Sequence, residues 1–294
     1  MGCTKKSAGC DNCYAEGQCK WTGLAKWGPG AVRQVTSDTN WRNPVKWNRK
    51  AEAVGTRTKV FCASMADVFD GEAPTDTRRR LWDLIRATPF LDWQILTKRP
   101  GNFRRFLPKD WGDGYSNVWL GVTAENRKDA LLRIPILQST PAAIRFVSGE
   151  PLLEDLGDLD LTGIDWMIVG GESGRKARPF DVTWATGLIE RCKLQRVKVF
   201  MKQLGRKPPE HERLCICPIR SRLPSVRAPR RITCPSPSVS ADNPRAGPMS
   251  VSVGSIRSNS LDLGGDDACY GFQMLGHMQP GWFSLQRTLT GSFQ

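Results

Sequence analysis

Six short apolar runs, rich in β-branched and aromatic residues, recur along the first 205 residues and constrain the fold more than any other feature. The runs begin 22 to 34 residues apart, and several intervals between them carry the period of an amphipathic helix. Apolar strands that alternate with helices are typical of a parallel sheet whose outer face is covered by those helices. The sequence therefore predicts an α/β fold. The six predicted strands are 59–63, 93–96, 118–122, 144–147, 166–169 and 197–201.

Two of the intervals carry recognisable helix start signals. Thr75 or Asp76 can cap a helix after the first strand, and Asp181 can cap one before the last strand. Cys192 lies on the apolar stripe of that last helix, and Cys62 lies inside the first strand. We interpret both cysteines as small core residues rather than ligands.

Each predicted strand ends in polar, charged or glycine residues. In a barrel of parallel strands these carboxyl ends converge on one face, where the chemistry of such barrels is built. Six consecutive ends of this kind favour a built pocket over the ordinary polarity of loops. The segments are Ser64–Asp67, Thr97–Arg99, Thr123–Asn126, Ser148–Glu150, Gly170–Ser173 and Lys202–Gln203.

Histidine is missing from the part of the chain that carries these strands. Both histidines, His211 and His277, lie beyond residue 205. A Ser-His-Asp triad, a Cys-His dyad and a His-ligated metal centre are therefore excluded from residues 1–205. Chemistry in that part must rely on carboxylates, lysines, cysteines or a cofactor.

Cys3, Cys10 and Cys13 form a C-x6-C-x2-C motif, and Cys19 follows it. Ten cysteines in a chain without an apolar leader indicate metal binding or buried thiols in a reducing cytoplasm rather than disulfides. Thiolates suit iron–sulfur clusters and zinc. Three thiolates on a cubane cluster leave one iron open to a substrate or cofactor, whereas Cys19 as a fourth would complete a zinc site or saturate a cluster.

The cysteine segment resembles the signature of a phage-associated family, the three-Cys-motif proteins (phage gp thirty-seven / gp sixty-eight), which are relatives of the radical S-adenosylmethionine (SAM) enzymes. The resemblance covers residues 2 to about 205 in order. The other segments that carry it are Ser64–Phe69, Leu96–Pro100, Trp119–Asn126, Gly149–Leu153, Val169–Gly174 and Lys202–Gly205.

The resemblance implies a partial (β/α) TIM-like barrel of the radical SAM type, with a [4Fe–4S] cluster held by Cys3, Cys10 and Cys13. S-adenosyl-L-methionine would chelate the open iron, and an electron would cleave its C–S bond to give a 5′-deoxyadenosyl radical that abstracts a substrate hydrogen. An electron donor and a partner protein are the expected protein partners. In such barrels a strand precedes the cluster loop, so we expect the first strand to be missing here.

Catalytic roles are assigned to three charged residues at the predicted strand ends. Lys98 would hold a carboxylate or phosphate. Glu125 and Glu150 would position the substrate or shuttle protons. The alternative is that these acidic and basic side chains pair with one another.

Cofactor-binding roles are assigned to a second set of strand-end residues. Gly170 and Gly171 would let the backbone approach SAM closely, and Glu172 would accept a hydrogen bond from the SAM amino group or ribose. Ser64 and Asp67 complete this set. The alternative for Gly-Gly-Glu is an ordinary tight turn.

A second interpretation belongs to another class of protein. Cys3, Cys10, Cys13 and Cys19 could bind zinc in a protein that contacts nucleic acid without catalysis. A third is that a chain without its first strand is inactive although its relatives are active. The first two interpretations differ in the colour and the metal content of the purified protein.

The net charge favours a polyanionic partner. The chain carries a formal charge of +14, and residues 1–205 hold 32 basic and 23 acidic side chains. We therefore expect the substrate to be a nucleic acid or a nucleotide. No run of about 18 apolar residues occurs, so we expect a cytoplasmic phage or prophage protein without membrane contact.

The composition changes near Gly205. Residues 206–294 hold half of the prolines and only one lysine, and they show neither helical nor strand period. We therefore divide the chain into a barrel domain, 1–205, and a Pro/Ser/Arg-rich tail, 206–294. The tail is predicted to be disordered or translated out of frame.

Overall fold

A computed structural model describes residues 1–174 and 176–206 and the pairing of Gln286–Arg287. Six parallel strands form one sheet in the order β6-β5-β4-β3-β2-β1, which curls into a half-barrel. All six predicted strands are confirmed, with ends that differ by a few residues. The strands are β1 (Thr58–Cys62), β2 (Leu91–Thr97), β3 (Val118–Thr123), β4 (Ile144–Gly149), β5 (Trp166–Gly170) and β6 (Lys198–Gln203). A two-residue strand, β7 (Gln286–Arg287), pairs antiparallel with β1.

Two helices precede β1, and four of the five intervals between consecutive strands contain a helix, the interval between β4 and β5 being the exception. The helices are α1 (Tyr14–Thr22), α2 (Asp38–Val54), α3 (Thr75–Arg86), α4 (Phe103–Phe106), α5 (Arg127–Gln138) and α6 (Val182–Leu194), with 3-10 turns at Ala8–Cys10 and Pro100–Asn102. Asp181 caps α6 as predicted, because its carboxylate accepts the Thr183 N–H at 2.8 Å. The predicted cap of α3 is wrong: Pro74 takes the N-cap position with extended backbone, so Thr75 and Asp76 lie inside the first turn.

The two faces of the sheet have different environments. Val60, Ile95, Leu120 and Val147 point toward the helices and belong to the main hydrophobic core. Burying such a side chain contributes about 1.5–3 kcal/mol each, so this face stabilises the fold. Cys62 and Cys192 are buried in the same core, as the sequence predicts. The opposite, inner face of the half-barrel is the one that borders the cavity described below.

The chain before β1 forms the cysteine segment, α1 and α2. Within residues 1–57, the only sheet-like contact is an isolated parallel bridge between Gly2 and Ala66. No helix in the described part of the chain is long and apolar enough to cross a membrane. The prediction for the tail, 206–294, lies outside the described residues except for Arg206 and the short strand β7.

Candidate functional site

A cavity of about 270 Å³ lies at the carboxyl ends of the parallel strands. The cysteine loop, defined here as residues 3–13, forms one wall, and the strand ends form the other. This is the edge at which parallel barrels place their chemistry. The predicted site residues that line the cavity are Cys3, Cys10, Cys13, Ser64, Asp67, Lys98, Glu150, Gly171 and Glu172. Glu125 and Gly170 do not line it.

Each sulfur of the three-cysteine motif lies near N–H donors. The backbone N–H of Lys6 donates to Cys10 Sγ at 3.4 Å, and Arg99 Nη2 donates to Cys3 Sγ at 3.8 Å. Cys13 precedes α1, and the first backbone N–H groups of that helix face its sulfur. N–H donors of this kind stabilise thiolates and tune iron–sulfur clusters. The donor set therefore suits thiolate ligation.

Burial disfavours the deprotonated form of the Cys3 and Cys13 thiols. It raises the pKa of Cys3 to about 11, with the Asp67 carboxylate adding to the effect, and it also raises the pKa of Cys13. Metal ligation requires deprotonated sulfur, so loading would release protons. Within the residues that the structure describes, no three His, Cys, Asp or Glu side chains are gathered into a group that could hold a metal ion. The three sulfurs thus share one cavity without forming a coordination cluster.

Cys19, on α1, belongs to the same small hydrophobic cluster that Cys13 packs against. It does not line the cavity and is buried in that cluster with Ala15 and Met65. Burial raises the pKa of its thiol. Three of the four cysteines of the zinc interpretation line the cavity, and metal analysis of the purified protein distinguishes that interpretation from the iron–sulfur one.

Glu125 follows β3 and anchors the middle of the cysteine loop. It is fully buried, its Oε1 accepts the Ser7 hydroxyl at 2.9 Å and pairs with Lys98, and its Oε2 lies 2.6 Å from Arg133 Nη1. Burial would raise the pKa of Glu125, but the Lys98 and Arg133 cations outweigh it and hold the pKa at about 2. Glu125 is thus an ionised anchor behind the cavity, and we reassign it from catalysis to positioning.

Gly9 allows the cysteine loop to approach this anchor. A Cβ at residue 9 would lie 2.5 Å from both Cγ and Oε1 of Glu125. Real Cβ atoms do not approach so closely, and the buried glutamate is held in place by Lys98 and Arg133. Glycine is therefore required at position 9 because a larger side chain would clash with Glu125, and not because of the backbone angles.

A Gly9→Ala substitution should lower the free energy of unfolding by about 1–3 kcal/mol, the usual cost of overpacking. Urea unfolding followed by circular dichroism measures it. Gly17→Ala is the matched control, since nothing lies within 4 Å of its added Cβ and alanine suits a helix interior. The control should gain about 0.5–1 kcal/mol. If the two substitutions changed the free energy of unfolding equally, the close approach of Gly9 to Glu125 would be contradicted.

Glu172 follows β5 and holds the loop from a second side. Its Oε2 accepts from Asn12 Nδ2 at 3.0 Å and from the Arg178 backbone N–H at 2.8 Å. The Arg178 side chain also pairs with Glu172 and donates to the Ala8 carbonyl at 3.0 Å. Burial opposes ionisation, but the Arg178 and Asn12 donors outweigh it and lower the pKa of Glu172. Its carboxylate lines the cavity while already accepting several hydrogen bonds.

Asp67 provides the third anchor through Arg99. Its Oδ1 accepts the Thr97 hydroxyl at 2.7 Å, and its Oδ2 lies 3.7 Å from Arg99 Nε. Arg99 in turn donates to the Thr4 carbonyl and to Cys3 Sγ. Burial raises the pKa of Asp67 in spite of these partners. Three strand-end carboxylates therefore fasten the loop that carries the cysteines.

Glu150 remains at the cavity wall in an ion pair. Its Oε2 lies 2.8 Å from Lys202 Nζ, and its Oε1 accepts from Gln203 Nε2 at 2.9 Å. Glu150 and Lys202 both line the cavity. Ser64 Oγ lines it too, and this buried hydroxyl has no hydrogen-bond partner. These groups are among the polar ones that a bound molecule could engage.

The two glycines after β5 are explained by packing against the end of β6. A Cβ at Gly171 would lie 2.8 Å from the Leu204 carbonyl oxygen and 3.0 Å from the Gly205 backbone. A Cβ at Gly170 would lie 3.3 Å from the Gln203 carbonyl oxygen. Close backbone packing therefore accounts for this pair without a ligand.

Some of the side chains at the site escaped the sequence analysis. Arg133 and Arg178 pair with predicted site carboxylates, and Ser7 and Asn12 donate hydrogen bonds from the cysteine loop to them. Gln94 lines the cavity from the middle of β2. A signal existed for Arg133 and Gln94, because each is a polar residue at a buried position of an apolar pattern.

Comparison with known proteins yields one match. A family model described as a protein of unknown function (DUF5131) matches residues 1–249, and so runs past the change in composition near Gly205. No curated protein and no solved structure matches the chain.

Proposed function

The chain belongs to the DUF5131 family of proteins of unknown function, and we propose that it is an iron–sulfur enzyme of the radical SAM type. The observation that carries the proposal is the position of Cys3, Cys10 and Cys13. All three line one cavity at the carboxyl ends of a parallel half-barrel, and N–H donors face each sulfur. We also propose that the chain is related to the phage three-Cys-motif proteins and that its half-barrel is of the radical SAM type.

The three cysteines would hold a [4Fe–4S] cluster. When bound, the cluster would supply the electron that cleaves the C–S bond of SAM. The protein's own contribution is to hold the cysteine loop in place through Asp67 and Glu172, with Glu125 behind them. The three anchors fix the loop at residues 4–12, and so position the ligands and limit the entry of water.

The ion pair at the cavity wall would take the amino-acid part of SAM. Lys202 offers an ammonium to a carboxylate, and Glu150 offers a carboxylate to an amino group, 2.8 Å apart. The unpartnered Ser64 hydroxyl lies in the same cavity and could donate one further hydrogen bond. Lys98 pairs with Glu125, so we assign it to holding the loop anchor as well as bordering the cavity.

The test is an anaerobic purification of the full chain, followed by an absorption spectrum and by iron, sulfide and zinc analysis. We expect a brown protein with a broad band near roughly 400 nm and about four irons per chain. Incubation with SAM and dithionite should then yield 5′-deoxyadenosine and methionine. A colourless protein that contains one zinc and leaves SAM intact would overturn the proposal.

A further inference from the structure

Gln94 is a buried polar side chain on the floor of the cavity. It lies in the middle of β2, is 1% exposed and borders the cavity from the inner face of the sheet. Its Nε2 has no hydrogen-bond partner. The neighbouring β2 residues Trp93 and Ile95 point to the opposite face and belong to the core.

An unpartnered amide in such a place is costly to a folded protein. Buried polar groups are nearly always hydrogen-bonded, and a buried exception calls for an explanation. A leucine of similar size would fill the same space without that cost. A ligand that presents an acceptor to Nε2 would explain the residue, because the amide would then be satisfied in the bound state.

The walls around Gln94 are flat and apolar. Phe61 lies opposite Gln94 in the register of β1 and β2, and Phe146 borders the same cavity from β4. Gly121 makes room for the Phe146 ring, since a Cβ there would lie 2.4 Å from its Cζ. Ile168 closes the floor on the β5 side. Aromatic walls with one amide at the base suit a planar ring that carries hydrogen-bonding groups on its edge.

We propose that the cavity floor binds a nucleobase, whose ring lies against Phe61 and Phe146 and whose edge pairs with the Gln94 amide. An amide carries a donor and an acceptor side by side, and this pair matches the edge of a base. The cavity, at about 270 Å³, is near the lower end of the range for ligand sites, so it suits one base rather than a duplex. The inference names the substrate class of the proposed enzyme and rests on that function for the reaction, although not for the binding.

The binding test uses the full-length chain and calorimetric titration with eight probes, four bases in two forms each. The probes are adenosine, guanosine, cytidine and thymidine, each as a free nucleoside and within a single-stranded pentanucleotide. We expect at least one base to bind, and Gln94→Leu to weaken it roughly ten- to a hundredfold, the discrimination that a paired amide provides. The free nucleosides and the pentanucleotides distinguish a small-molecule substrate from a base presented by a strand.

A matched control and a second readout keep the test independent of folding. Gln138→Leu removes an amide on α5 that donates to the carbonyls of Asp160 and Thr162, and it should leave binding unchanged. Without ligand, Gln94→Leu should raise the thermal midpoint and Gln138→Leu should lower it, because only the second variant loses a hydrogen bond. A lower midpoint for Gln94→Leu would mean that the amide has a structural role, and it would overturn the proposal.

Three further results would overturn it. One is that no nucleoside or pentanucleotide binds to the wild-type chain, and another is that Gln94→Leu binds as tightly as wild type. The third is displacement of the base by S-adenosylhomocysteine, which would assign the floor to the SAM adenine. Iron and sulfide content is measured separately in the same preparations. A chain that binds a base but contains no cluster would contradict the proposed iron–sulfur function and leave the base-binding inference standing.

Discussion

Replacement of Cys13 by alanine should remove most of the iron and sulfide from anaerobically purified protein. The expected loss is roughly tenfold or more, since changes to outer-shell partners alone cost about 10–100-fold in metal affinity. The Cys13 thiol lies at the cavity, where it is one of the three proposed cluster ligands. Iron and sulfide analysis and the absorption spectrum measure the loss, and circular dichroism checks that the helices remain.

Two other cysteines provide controls for this experiment. Cys192 is fully buried in the main core, where burial raises its pKa to about 11, so Cys192→Ala should keep the wild-type iron content. Cys19 does not line the cavity, so Cys19→Ala should also keep the wild-type iron content. Loss of iron in Cys19→Ala would favour a four-cysteine site. Wild-type iron in Cys13→Ala would contradict the ligand assignment.

The strands and the edge that carries the site could be predicted because both depend on local sequence. A buried parallel strand is a short apolar run, and its carboxyl end is marked by the first polar residues that follow. Lys98 and Glu150 were found in this way, and both line the cavity. The same reasoning predicted Glu125 as a site residue, because it also follows a strand. Its side chain, however, is buried behind the cavity wall.

The roles of these residues could not be predicted because they depend on contacts between distant parts of the chain. Glu125 and Ser7 are 118 residues apart, and Asn12 and Glu172 are 160 residues apart. No spacing rule relates such pairs, so a strand-end carboxylate that binds a loop has the same sequence pattern as one that binds a ligand. Gln94 shows the opposite case, since a polar residue in the middle of β2 was visible in the sequence, but no sequence pattern indicated its partner.

Replacement of Glu125 by alanine should cost about 3–5 kcal/mol of unfolding free energy, the cost of leaving a buried charge without its partner. Arg133 is only 2% exposed and would keep just Asp129 as a charged partner. Urea unfolding measures the change. The control is Asp155→Ala, which removes an exposed partner of Arg191 and should cost less than about 1 kcal/mol. Equal costs for the two variants would contradict the role of Glu125 as an anchor.

The pH dependence of the free energy of unfolding, compared between the wild-type protein and Glu125→Ala, tests whether the Glu125 carboxylate is ionised. The folded pKa of Glu125, about 2, lies below its ordinary value of 4.5, so its contribution is complete above pH 4.5 and is lost as the pH falls toward 2. Wild-type stability should therefore decline over this range more steeply than that of Glu125→Ala. Parallel curves would mean that the carboxylate is not held ionised by Lys98 and Arg133. Because the same carboxylate holds Ser7 and contacts Gly9, acid should release the cysteine loop before the core of the sheet unfolds.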